Sequence, residues 1–229
     1  MLIAGTERGI YISFDSGDNW QSLMLNLPVT SMRDVEIHGN DLVLATHGRG
    51  FWVLDDISAL RQVNNSTTTA AMQLFKPGEA IAAIQGGDNG TPWQKDEPQA
   101  ENAPPGALID YYLKSDANGP VTIEILDSTG KVVRTYSSAA PPPAPIAPQT
   151  VSEPWLRTAP TLSAAAGMHR WVWDFREAPP ARAGGPGGGG GGFGRGALPM
   201  LTGTFTVRLT VDGQTATQPL TVVPDPRSK

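Results

Sequence analysis

Arg8-Gly9-Ile10-Tyr11-Ile12-Ser13-Phe14-Asp15-Ser16-Gly17-Asp18-Asn19-Trp20 reads as an alternating strand, a tight polar turn, and a tryptophan that opens the next strand. Period-two alternation puts Ile10 and Ile12 on one side of the strand and Tyr11 and Ser13 on the other. Asp15 is placed to accept hydrogen bonds from amides two or three residues on, which closes an Asx-type turn. Gly17 supplies a positive φ at little steric cost. Trp20 is expected to bury its ring against the sheet. Asp15 therefore reads as a structural residue, because every partner it needs lies inside its own turn.

The stretch recurs once. Ala4-Gly-Thr-Glu-Arg-Gly-Ile-Tyr-Ile12 matches Ala45-Thr-His-Gly-Arg-Gly-Phe-Trp-Val53. Arg8-Gly9 falls on Arg49-Gly50, an offset of 49 − 8 = 41, and Asp15 falls on Asp56. A period of about 40–45 residues is that of a four-stranded propeller blade. The second copy has no Gly or Trp at the spacings of Gly17 and Trp20, and reads as a degenerate terminal repeat. Three strands are expected in each copy: 2–6, 9–14 and 20–23, then 34–38, 42–46 and 50–54. Two such partial units cannot close a ring, and their edges stay unpaired. The expectation is that residues 1–60 are the end of a longer propeller or are completed by another chain.

Ser13, Asp15, Gly17 and Trp20 resemble the Asp box, or BNR repeat, of sialidase-like, sortilin-like and xyloglucanase-like β-propellers. Asn40-Asp-Leu-Val-Leu-Ala-Thr-His-Gly-Arg-Gly-Phe-Trp-Val-Leu-Asp-Asp56 is similar to the last blade of bacterial sortilin-like propellers, often labelled glycosyl hydrolases. The resemblance covers about a quarter of the chain. It implies a propeller fold, a missing strand of the last blade supplied from elsewhere, and a location outside the cytoplasm.

Residues 61–106 read as a connector. Asn64-Asn65-Ser66-Thr67-Thr68-Thr69 is a polar linker. A short strand at 80–84 leads into the next domain, and a Gly/Pro-rich loop carrying Trp93 follows. From 107 to 229 the pattern is that of a β-sandwich. Strands are expected at 107–113, 121–126, 131–136, 168–175, 205–211 and 214–223, with turns at Asp127-Ser128-Thr129-Gly130 and Asp212-Gly213. Trp171, Trp173 and Phe175 share one face. Pro219 marks the last strand as an edge. The segment resembles the immunoglobulin-like domains of many secreted bacterial proteins, including the flagellar hook-cap type. Two low-complexity inserts interrupt it, a Pro-rich one at 139–148 and a Gly-rich one at 183–196. The fold class is thus all-β: two incomplete propeller blades followed by an immunoglobulin-like sandwich.

The chemistry that composition permits is narrow. The 229 residues carry a net charge of −5 and no cysteine, so nucleic acid is not an expected partner and thiol chemistry is excluded. No run of about 18 apolar residues offers a membrane span, and the N-terminus lacks the pattern of a signal peptide. His38, His47 and His169 are scattered without ligand spacing. The glycine run lacks the Lys-Ser/Thr and helix start of a phosphate loop. No cofactor or metal is expected.

Glycoside hydrolysis needs two carboxylates across a cleft. Asp55 and Asp56 are the acidic pair at a strand end, and they read as caps of the turn after Leu54. Arg8, Gly9, Arg49, Gly50 and Asp56 follow the repeat and are assigned a structural role, the arginines pairing with carbonyls or acids between blades. No complete catalytic set emerges. The expected function is a non-catalytic binding or scaffold portion that recognises protein or carbohydrate. The alternative is the end of a glycoside hydrolase whose carboxylates lie on missing blades.

Overall fold

The computed structural model describes residues 1–83, 103–141, 160–178 and 199–227. Trp93, the Gly-rich insert and most of the Pro-rich insert lie outside these. The protein is all-β. Among the described residues fourteen strands form four sheets.

The first sheet holds β1 (Leu2–Thr6), β2 (Gly9–Ser13) and β3 (Gln21–Ser22), in that order. The second holds β4 (Met32–His38), β5 (Asp41–Thr46) and β6 (Phe51–Leu54), also in order. Both are antiparallel meanders. Ile10 of the first sheet joins Leu42, Leu44 and Trp52 of the second in one core, closed by Leu27, Met32 and Ile57. The close approach of β4 to β1 depends on Gly5, where a Cβ would stand 2.8 Å from Met32 Cβ and 2.9 Å from Val35 Cγ2.

Strand pairing corrects the sequence alignment of the repeat. Thr6 pairs with Gly9, and its hydroxyl donates to the Gly9 carbonyl at 3.0 Å. In the second hairpin the Thr46 hydroxyl and amide both donate to the Gly50 carbonyl, at 2.7 and 3.1 Å. The first strands are therefore offset by 40 residues (Thr6 to Thr46) and the second strands by 41 (Gly9 to Gly50). The tighter hairpin turns on two residues, 7 and 8, and the wider one on three, 47–49. A one-residue slip reverses which face a side chain occupies, so Ala4 corresponds to Leu44 rather than Ala45. The two sheets also extend in opposite directions. The first adds β3 beside β2, whereas the second adds β4 beside β5.

The connector is more ordered than its composition suggests. Where a polar linker was expected, a five-residue helix, α1 (Asn65–Thr69), forms behind a capping box. The Asn64 side chain accepts from Ser66 N, and the Thr67 hydroxyl accepts from Asn64 N. Each bond satisfies a helix-start amide that has no partner within the helix. Beyond it, β7 (Met72–Leu74) and β8 (Ala80–Ala82) join the sheets of the C-terminal region.

That region stacks two sheets over one core. The three-stranded sheet runs β12 (Gly167–Trp173), β9 (Ala107–Leu113), β7. The five-stranded sheet runs β11 (Val132–Ser137), β10 (Thr122–Leu126), β13 (Gly203–Val211), β14 (Gln214–Pro224), β8. Alternation supplies the core directly: Ile109, Tyr111 and Leu113, then Ile123 and Ile125, then Val207 and Leu209 are all buried. Trp173 packs edge-on to Phe205 and Phe175, at 4.8 and 5.8 Å between ring centroids. Trp171 lies on the same core and meets Tyr136 edge-on. At Pro219 the last strand has a ladder partner on one side alone, Thr206 of β13, as an edge position does. It is not an edge throughout, because Val222–Pro224 pairs in parallel with β8.

Candidate functional site

The polar turn of the first sheet forms, but the Asp15 carboxylate takes the amide four residues on, not one two or three residues on. The Ser13 hydroxyl donates to Asp15 Oδ1 at 2.8 Å and accepts from Gly17 N at 2.8 Å. Asp15 Oδ1 also accepts from Asn19 N at 2.9 Å, and Oδ2 from Asn19 Nδ2 at 2.7 Å. The Asn19 side chain, then the Asn19 amide and the Ser13 hydroxyl, hold the Asp15 carboxyl down at about 2. Gly17 takes φ 104°. Trp20 departs from expectation. It is 44% exposed, lies one residue before β3 begins, and reaches over Gly17, its Cζ2 3.9 Å from where a Cβ would be. Asn19, which the sequence reading passed over, is the residue that fixes the carboxylate.

Both repeat arginines are exposed. Neither the Arg8 nor the Arg49 side chain has a hydrogen-bond or ion-pair partner among the described residues. What the turns contribute is backbone: the Arg49 carbonyl accepts from Trp52 Nε1 at 3.0 Å, pinning the buried indole.

Asp55 and Asp56 sit at a junction that links both halves of the chain. Asp56 takes φ 47° and caps Ser58 N at 3.0 Å, while Asp41 Oδ1 accepts from Asp56 N at 2.9 Å. Arg170 of β12 forks across the gap. Its Nε and Nη2 donate to the Asp110 carboxylate at 2.8 and 2.9 Å, and its Nη1 and Nη2 donate to the carbonyls of Asp55 and Asp56 at 2.6 and 2.7 Å. Such bidentate pairs fix orientation as well as adding energy. Burial, and then the charge of Asp41, push the Asp55 carboxyl above its usual range, although Arg170 opposes them. A perturbed carboxylate invites a catalytic reading. Its neighbours are all committed to the turn and the clamp, so the geometry is that of a joint.

His38 and His47 are exposed. His169 is half-buried, with Nε2 2.6 Å from the Ala165 carbonyl and its ring against Tyr111. Among the described residues no group of three or more His, Asp or Glu is placed to hold a metal.

Beside the Arg170 clamp the two halves leave a cleft of about 390 Å3. One wall is the polar turn, with Phe14, Asp15, Asn19 and Gln21. The opposite wall is α1 with its cap, and the outer face of β9 and β12 contributes Tyr112 and Met168. These last two are a cross-strand pair, two residues along from the Asp110–Arg170 pair. The clamp and the cleft thus share one sheet face.

No protein-family model matches the chain, and neither a curated protein nor a solved structure does. The sequence brought Asp15 to the cleft. It did not bring Asn65, Tyr112 or Met168, which come from other elements. The capping pattern Asn64-x-x-Thr67 was the available signal for the second wall.

Proposed function

We propose that the chain is a non-catalytic binding and scaffold unit: the terminal part of a stacked-sheet β-propeller joined to an immunoglobulin-like sandwich. One observation carries this reading. Ile10 and Ile12 are 1% and 3% exposed, whereas Phe51 and Val53, which occupy the equivalent positions of β6, are 78% and 48% exposed. The first sheet packs its Ile10 face on the second, and the second uses its opposite face, that of Leu44 and Trp52. A contact between unlike faces propagates when the next unit is added in the same sense. Phe51 and Val53, with Val43 and Ala45 paired beside them, supply the face for that next sheet. The opposite end offers Leu2, 46% exposed. The carboxylates favour a non-catalytic role, since Asp15, Asp56 and Asp110 each hold a turn or a joint.

Sedimentation tests the reading. Wild-type chain is expected to associate with rising concentration. Phe51→Lys is expected to stay monomeric with an unchanged far-UV spectrum, since its side chain supports nothing in the fold. A wild-type chain that remains monomeric up to its solubility limit would count against the stacking face. Turnover of glycoside substrates by the purified chain would count against the non-catalytic role.

A further inference from the structure

The junction cleft has a chemistry of its own, which deepens the binding half of the reading above. Its volume of about 390 Å3 lies within the ~300–1,000 Å3 of small-molecule sites, which favour the meeting of two structural units. Among the described residues no Lys, Arg or His lines it. The one formal charge in the described lining is the Asp15 carboxylate, which stays ionised at all but strongly acid pH. An anionic ligand would meet a negative wall with no counter-charge. Nor is Asp15 free to hold a cation strongly, because three donors already occupy its oxygens.

The remaining polar lining divides into groups that are satisfied and groups that are not. Asn64 and Thr67 are spent on the helix cap. The side chains of Gln21 and Asn65 and the Tyr112 hydroxyl have no hydrogen-bond partner among the described residues, on three different elements around one space. The lining also holds the half-buried rings of Phe14 and Tyr112 and the buried ring of Phe75. Two amides offer both donors and acceptors, and aromatic faces offer platforms for C–H surfaces. Neutral bifunctional hydrogen bonding beside a flat apolar surface complements an uncharged ligand dense in hydroxyls. Extended peptides instead engage long strand edges or deep apolar grooves, whereas the edge strand that carries Gln21 is two residues long.

We propose that the cleft binds a neutral carbohydrate, with Gln21, Asn65 and the Tyr112 hydroxyl contacting its hydroxyls and the rings of Phe14 and Tyr112 supporting a sugar face. The clamp of Arg170 on Asp55 and Asp56 would set the cleft's width.

The test is titration calorimetry of the full chain. The probes are neutral hexasaccharides of glucose, xylose, mannose and galactose, with oligogalacturonate as the acidic counterpart and a mixed neutral peptide as the third class. At least one neutral hexasaccharide is expected to bind. Gln21→Ala and Asn65→Ala should each weaken it about tenfold, the loss of one good hydrogen bond (about 1.4 kcal/mol). Both positions are exposed, so these variants keep the fold, which far-UV spectra verify. Phe51→Lys, on the far sheet, should bind as wild type. Binding to no neutral hexasaccharide, binding indifferent to both variants, or preference for the acidic sugar or the peptide would each overturn the proposal. The stacking reading is scored separately by sedimentation, so either idea can fail while the other stands.

Discussion

Two aspartates show how residue-scale chemistry separates in opposite directions. Asp15 is exposed, yet Asn19 and Ser13 hold its carboxyl down at about 2 from 3.8. A depressed carboxyl contributes stability above its unfolded value and loses it as pH falls through its folded value. Thermal melts of wild type and Asp15→Asn should therefore differ by a constant amount above about pH 4, wild type being the more stable. The gap should close between pH 4 and pH 2. A gap unchanged across that window would show that the carboxylate does not hold the turn. Asp55 behaves oppositely. Burial and Asp41 raise its carboxyl, so its ionisation opposes folding at neutral pH, and stability returns as pH falls through the raised value. Asp55→Asn, which keeps the backbone carbonyl that Arg170 uses, should melt higher than wild type at pH 7 and match it in acid. A lower melting point at pH 7 would mean that attraction to Arg170 outweighs burial. The position of Asp15 in a turn was legible in the sequence. The perturbation of Asp55 was not, because it comes from burial at the joint and from the charge of Asp41 on another strand.

At the scale of elements, local pattern did well wherever a strand had one wet face. The hairpins of β1 with β2 and of β5 with β6 followed from alternation and Gly placement. It misplaced what depends on the count of turn residues. One extra residue between β5 and β6 shifts the first-strand equivalence from 41 to 40, and matching letters at Ala4 and Ala45 conceal this. It also missed α1, since five polar residues have no hydrophobic period to announce a helix. Gly5 is the element-scale position to test. Gly5→Ala places a Cβ 2.8 Å from Met32 Cβ, with a β-branched valine on the other side, so β4 must move off β1. Overpacking of this kind costs about 1–3 kcal/mol. Denaturant midpoints should report that loss, with an unchanged slope. A neutral variant would mean that the two sheets are held less closely than the geometry describes.

At the scale of the whole molecule, Arg170 is the tie. It sits on the face of β12 that turns away from the C-terminal core, where β9 presents Asp110 opposite it. That carboxylate is 6% exposed and Arg170 31% exposed, so removing the guanidinium strands a buried charge. Breaking one partner of a buried pair costs about 3–5 kcal/mol, whereas replacing both by apolar groups is often near neutral. Arg170→Met should fall near the lower end, given its partial exposure. The double variant Arg170→Met with Asp110→Leu should recover most of the loss while still freeing the carbonyls of Asp55 and Asp56. Proteolysis at residues 55–64 should then accelerate in both variants, which separates the joint from the ion pair. Unchanged cleavage would mean that the two halves are held by other contacts.

Legible along the chain were the all-β class, most strand positions, the polar turn at Asp15 and the core alternation of β9, β10 and β13. These follow from period-two burial and turn chemistry, which act over a few residues. Tertiary structure alone decided that Phe51 and Val53 lie bare while Ile10 and Ile12 are covered, that β8 shields the end of β14, and that Gln21, Asn65 and Tyr112 surround one cleft. The physical reason is distance along the chain. A repeat fixes which residues are apolar, but burial depends on whether a neighbouring sheet is present. A cleft at a joint depends on a clamp whose partners stand 60 and 115 residues apart.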